Sequence, residues 1–129
     1  LPAVLSAVLL LQAAPARAHH SAIAQFDLRN PLTLSGTLTK LEWMNPHAWI
    51  YLNVKGADGQ VTEWKVEAGS PLRMETRGLK KEDFKPGTQM IIGGFAAKDG
   101  TRTVAGWVVS FPEREGRLPE QESSFALGR

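Results

Sequence analysis

His47-Ala48-Trp49-Ile50-Tyr51-Leu52-Asn53-Val54-Lys55-Gly56-Ala57-Asp58-Gly59-Gln60-Val61-Thr62-Glu63-Trp64-Lys65-Val66-Glu67-Ala68 is the stretch that decides the fold. Its first half alternates: Ala48, Ile50, Leu52 and Val54 fall on one face of an extended chain. His47, Trp49, Tyr51 and Asn53 fall on the other. Ala57-Asp58-Gly59 fits a three-residue hairpin loop, with Gly59 in the left-handed position of the bulge. That loop pairs residue 56 with 60 and so sets the register. Val54 then faces Thr62, Leu52 faces Trp64, Ile50 faces Val66 and Ala48 faces Ala68. On the other face Asn53 meets Glu63, Tyr51 meets Lys65 and Trp49 meets Glu67. Turn chemistry and hydrophobic pattern specify the same hairpin.

Upstream, Leu32, Leu34 and Leu38 alternate with Thr33, Ser35, Thr37 and Thr39, as a half-buried strand does. The parity then slips to Leu41 and Trp43, which predicts a bulge or strong bend near Gly36. Residues 19–31 form an N-terminal segment closed by the Asn30-Pro31 turn signal. Downstream, Ser70 caps a helix with Pro71 at its first position, and Gly78 stops it. A short turn from Lys80 to Phe84 leads to Pro86-Gly87. Residues 88–97 and 101–111 form a second hairpin around Lys98-Asp99-Gly100. There Met90, Ile91 and Ile92 are consecutive and Gly93-Gly94 follows, a pattern of a strand buried on both faces or bent at its glycines.

Three strands, a helix and two more strands predict a mainly β domain over residues 32–112. Its expected form is a small five-stranded OB-fold-like antiparallel barrel with one helix between strands three and four. Another small antiparallel barrel, or a sandwich with a covering helix, is the alternative. Residues 113–129, rich in Glu, Arg, Pro and Ser, read as a polar, disordered tail.

Residues 1–14 carry no charge and lead to Ala16-Arg17-Ala18, the apolar region and small-x-small cleavage site of a secretory signal. Residues 1–18 are therefore expected to be a signal peptide, truncated at its start because the charged region and the initiating Met are missing. Cleavage after Ala18 would open the mature chain on His19-His20-Ser21. The apolar run is shorter than the ~18 residues of a membrane span, so no span is expected after cleavage. The chain has no Cys, which suits an exported domain of a bacterial periplasm or exterior. Its formal net charge of +2 gives no electrostatic footprint for nucleic acid.

All three histidines occupy suggestive positions. A terminal His19 can chelate through its α-amine and imidazole together, a pairing that favours Cu(II) in tetragonal nitrogen sites. His47 would supply a third nitrogen, with His20 as its competitor. Cleavage after Ala16 would instead place His19 third, another amino-terminal copper-binding arrangement. Zn is the lesser candidate. Against any metal, two terminal histidines can simply be solvated, and His47 can serve only the Asn45-Pro46 turn.

Trp49 and Tyr51, joined by Trp43, form a second candidate, a ligand-binding aromatic face. The bland reading is that the helix, residues 19–31 or the tail covers these rings; cover by residues 19–31 would bring His19 toward His47. No Cys nucleophile, Gly-x-Ser-x-Gly elbow or phosphate-binding glycine loop is present, so no catalytic residue is assigned and a binding module is favoured over an enzyme. Glu63 and Glu67 with Lys65 between them read as a surface charge ladder. The expected role is thus a periplasmic module holding Cu(II) through His19, His47 and His20. Its rival is a metal-free module that binds a protein, peptide or glycan through the Trp49/Tyr51 face.

The series His19-His20-Ser21, Gly36-Thr37, Glu42-Trp43, Asn45-Pro46-His47-Ala48-Trp49-Ile50, Gly69-Ser70-Pro71, Lys85-Pro86-Gly87 and Ala97-Lys98-Asp99-Gly100 resembles a family of small exported bacterial proteins classed as a domain of unknown function. The resemblance covers most of residues 19–111 and implies export and one compact domain. It implies no activity.

Overall fold

The structure, a computed structural model, describes residues 22–111 and 115–117. The expected signal segment and both His19 and His20 lie outside the described residues. A one-turn helix α1 (Ala22–Gln25) leads into β1 (Phe26–Glu42), β2 (Ala48–Lys55) and β3 (Val61–Gly69). Then come α2 (Pro71–Thr76), a 3-10 turn (Lys81–Asp83), β4 (Gln89–Ala97), β5 (Thr103–Ser110) and a short β6 (Glu115–Arg117). The fold is mainly β. Its strand order is β3-β2-β1-β4-β5-β6, and β3 pairs again with β5, in parallel. The pairings of β1 to β5 therefore close on themselves, with every other ladder antiparallel.

The first hairpin has the expected register from Trp49↔Glu67 to Val54↔Thr62. Gly56 and Gln60 close its loop through a 2.8 Å backbone bond, and Gly59 sits at φ +80°, where a Cβ would be strained. One pair differs: Ala48 faces Gly69 rather than Ala68, because the ladder shifts between Ala48 and Trp49. The shift leaves both alanines fully buried.

Two expected boundaries need correction. β1 begins at Phe26, so Asn30-Pro31 lies inside a strand rather than at a turn. Its register with β4 jumps between Phe26 and Pro31. Pairing with β2 begins only at Gly36, so Pro31 has a ladder on one side, where its missing N–H is tolerated. The second correction falls in the tail, where Glu115–Arg117 pairs with Val108–Ser110 of β5. A sheet edge recruits backbone N–H and C=O groups, and polar composition does not forbid that.

The core gathers Leu38, Ile50, Leu52, Val66, Ile92, Val104 and Val109 from five strands, all essentially without solvent contact. Burying each such side chain is worth about 1.5–3 kcal/mol. Met74, Leu79 and Phe84 extend this core from the segment after β3. The Ser70 hydroxyl accepts from the Arg73 N–H at 3.4 Å, as expected of the cap. At the other end the Leu79 and Gly78 N–H groups donate to the carbonyls of Met74 and Glu75, which closes the helix. In β4 the bent alternative holds. Ile91 is 46% exposed while Met90 and Ile92 are buried, and the register with β5 shifts between Gly93 and Gly94. A Cβ on Gly94 would run into the carbonyl oxygen of Ala105.

Candidate functional site

One irregularity builds the outer face of β1, β2 and β3. The β1–β2 register skips between Leu38 and Lys40, so Thr39 is the extra residue of the expected bulge. Before it Leu34 and Leu38 point inward; after it the inward parity passes to Leu41. Lys40 and Glu42 are thereby turned outward, opposite Tyr51 and Trp49. Across the next ladder Tyr51 faces Lys65 and Trp49 faces Glu67. Six side chains of alternating charge and aromatic character thus share one face.

Their contacts form two groups. In the first, the Tyr51 hydroxyl donates to Glu42 Oε2 at 3.1 Å, and Lys40 Nζ donates to Glu42 Oε1 at 2.5 Å. The Lys40 hydrogen bond, followed by that of Tyr51, holds the Glu42 carboxyl below its usual range. The same bond with Glu42 raises Lys40. In the second, Lys65 Nζ lies 4.0 Å from the centre of the Trp49 ring and 5.8 Å from that of Tyr51. Lys40 Nζ lies 4.9 Å from the Tyr51 centre. Both rings expected to form a binding face are therefore approached by ammonium groups, an attraction of about 0.5–1 kcal/mol at an exposed site.

His47, just after the cis Asn45–Pro46 peptide, is two-thirds buried and pairs through Nδ1 with Glu67 Oε1. Sequence reasoning placed Glu67 in a charge ladder and missed this pairing. The available signal was the register itself: Trp49 faces Glu67, and His47 lies two residues away on the same face, within diagonal reach. A carboxylate on Nδ1 is the arrangement that orients a metal-ligating imidazole and makes Nε2 its ligating atom. Among the described residues no three His, Cys, Asp or Glu side chains converge as a metal group.

Trp43 is not part of this face. It packs against the core, its ring 6.2 Å from that of Phe84, which in turn meets Phe111 edge-on at 5.3 Å. The parity change at Thr39 that turns Glu42 outward turns Trp43 inward.

The chain's N-terminal side reaches the same corner. The Lys98 N–H donates to the Gln25 carbonyl at 2.8 Å, and Phe26, 3% exposed, pairs with Ala97. Ala24, Gln25 and Phe26 line a cavity of about 270 Å³ together with Trp49 and Glu67. The turn between β4 and β5 completes it with Lys98, Asp99 and Thr101, and the start of β5 with Thr103. Asp99 accepts from the Thr101 hydroxyl at 2.7 Å and from its N–H at 3.0 Å, and these bonds lower its pKa. Among the described residues no helix is long and apolar enough to cross a membrane.

A model of a protein family described as of unknown function, DUF6152, matches residues 7–106, and the chain belongs to that family. No curated protein and no solved structure matches it.

Proposed function

For this member of the DUF6152 family, we propose an exported binding module with an OB-type barrel that holds Cu(II) at the corner where α1 meets β2 and β3. In this reading, residues 1–18 direct export and are removed after Ala18. His19 then supplies its α-amine and imidazole, His47 a third nitrogen, and His20 competes for that place. The barrel reading is supported by the closed circuit of pairings and by the helix between strands three and four.

One observation carries the copper reading. Ala24 and Gln25, a few residues after His19 and His20, line one cavity with Glu67, and Glu67 holds His47. The Nδ1–carboxylate pair would fix the imidazole in the orientation a copper ion needs, so Glu67 is the positioning residue of the site. The rival reading, a bare Trp49/Tyr51 stacking face, has less support because Lys65 and Lys40 lie over those rings.

The test is a Cu(II) titration of protein processed to begin at His19, followed by calorimetry and EPR. One equivalent with nitrogen hyperfine structure is expected. His47→Ala should remove one nitrogen from the spectrum, and Glu67→Gln should weaken binding by about 10-fold. Binding that ignores both substitutions would reduce the site to an exposed terminus and end the proposal.

A further inference from the structure

The cavity beside Trp49 has a chemistry of its own, independent of any metal. Its lining brings one indole, two carboxylates, two threonine side chains and an amide together, from Trp49, Glu67, Asp99, Thr101, Thr103 and Gln25. Three distant parts of the sequence supply them: the N-terminal helix, the β2–β3 hairpin and the β4–β5 hairpin. Thr103 is brought to Glu67 by the parallel β3–β5 ladder, where Lys65 pairs with Thr103 and Glu67 with Ala105. The floor of the cavity is thus part of the closed strand circuit.

The lining carries charges of both signs, because Lys98 belongs to it as well as Glu67 and Asp99. Glu67 is paired with His47, and Asp99 with the hydroxyl and N–H of Thr101. The Trp49 ring has the Lys65 ammonium 4.0 Å from its centre. An incoming anion would meet two carboxylates, and an incoming cation the Lys98 ammonium as well as that of Lys65. A second cation on the indole would also be repelled by the first. A neutral ligand meets neither obstacle. It can set C–H groups against the part of the indole that lines the cavity while its hydroxyls exchange hydrogen bonds with carboxylate oxygens, threonine hydroxyls and the amide, each of which can take more than one bond. At about 270 Å³ the cavity is just below the ~300–1,000 Å³ of typical small-molecule sites, so it suits one ring rather than an extended chain.

We infer that this cavity is a binding site for a single neutral sugar ring, set against the part of Trp49 that lines the cavity, with Lys65 left in place, and hydrogen-bonded by Glu67, Asp99 and the two threonines. The ring enters between α1 and the Lys98–Gly100 turn, apart from the Tyr51 end of the outer face. A polyhydroxylated ligand, donor and acceptor at once, suits a lining that joins an aromatic, two carboxylates, an ammonium and two hydroxyls.

The experiment uses the full mature chain with a chelator present, so that copper cannot contribute. Glucose, galactose and N-acetylglucosamine are titrated by saturation-transfer-difference NMR and Trp fluorescence, with choline and arginine as cationic probes. At least one sugar should show weak, saturable binding with its ring protons nearest the protein. Trp49→Ala should weaken it at least about tenfold. Thr103→Val, nearly isosteric and gentler on the fold, should weaken it while leaving the thermal transition in place. Failure of all three sugars to bind overturns the inference, as does binding unchanged in both variants. Binding of choline or arginine alone also overturns it, in favour of a cation site. None of these outcomes bears on the copper titration, so the two proposals fail separately.

Discussion

The β2–β3 and β4–β5 hairpins turn on the same Asp-Gly chemistry, yet only the first keeps an even ladder along most of its length. In both, the loop aspartate accepts from the N–H two residues on: Asp58 from Gln60 at 2.9 Å, Asp99 from Thr101 at 3.0 Å. In both the following glycine has a positive φ, +80° at Gly59 and +78° at Gly100. The strands diverge. β2 alternates buried and outward residues and matches β3 in unbroken register from Trp49 to Lys55. β4 is interrupted at Gly93 and Gly94, where the Val108 side chain crowds the first glycine and the β5 backbone comes too close to the second for a side chain. A turn fixes where two strands start, while close packing further along decides whether they stay in step.

The sharpest way to break this contrast is Gly94→Ala. The added methyl collides with the Ala105 backbone, which cannot swing aside as a side chain can. A loss of about 3 kcal/mol is expected, read as a lower midpoint in urea unfolding followed by Trp fluorescence. An unchanged midpoint would mean that the bend belongs to the strand and not to the glycine.

Gly59→Ala and Gly100→Ala sharpen the shared half of the comparison. No other group lies within 4 Å of a Cβ at either position, so only the left-handed backbone opposes the methyl. Each should cost about 1 kcal/mol, and the two costs should match. A large disparity would show that the two loops are not equivalent.

The smallest expected effect separates the two loop aspartates. Asp99 gains the Thr101 hydroxyl as well as an N–H, and these bonds set its pKa below the ordinary 3.8. Its stabilising contribution is therefore complete above that value and disappears as pH falls through the lowered one. Asp99→Ala should thus differ from the parent protein at neutral pH, and the gap should begin to narrow once pH falls below 3.8, as followed by urea midpoints from neutral pH into that acid range. A gap that persists unchanged in acid would assign the effect to the loop backbone.

The first hairpin was legible almost to the residue because apolar alternation and a three-residue loop constrain register independently. The helix was legible for the same reason, with Ser70, Pro71 and Gly78 marking both ends. The start of β1 was hidden because Asn30-Pro31 carries a turn signature that an unpaired strand side can absorb. β6 was hidden because backbone pairing leaves no apolar trace in Glu115–Arg117. At the candidate site, Trp49 and Tyr51 could be put on one face, and His47 with them. The Glu67 partner of His47 is a diagonal contact, visible only once the ladder is laid out. Trp43 was misplaced on that face because a bulge reverses every side chain beyond it, and its position cannot be located from parity alone to within one residue.

The parallel ladder between β3 and β5 closes the circuit with only three residue pairs, 65–67 against 103–105. In kinetic terms it joins segments far apart in the chain, so its loop-closure cost falls late, after the local hairpins have formed. A short seam is also where a structure opens first without unfolding. The amides of this ladder should therefore exchange with solvent sooner than those of β2. Glu67 and Thr103 belong both to the seam and to the cavity wall. The shortest seam of the strand circuit is thus also a wall of its cavity.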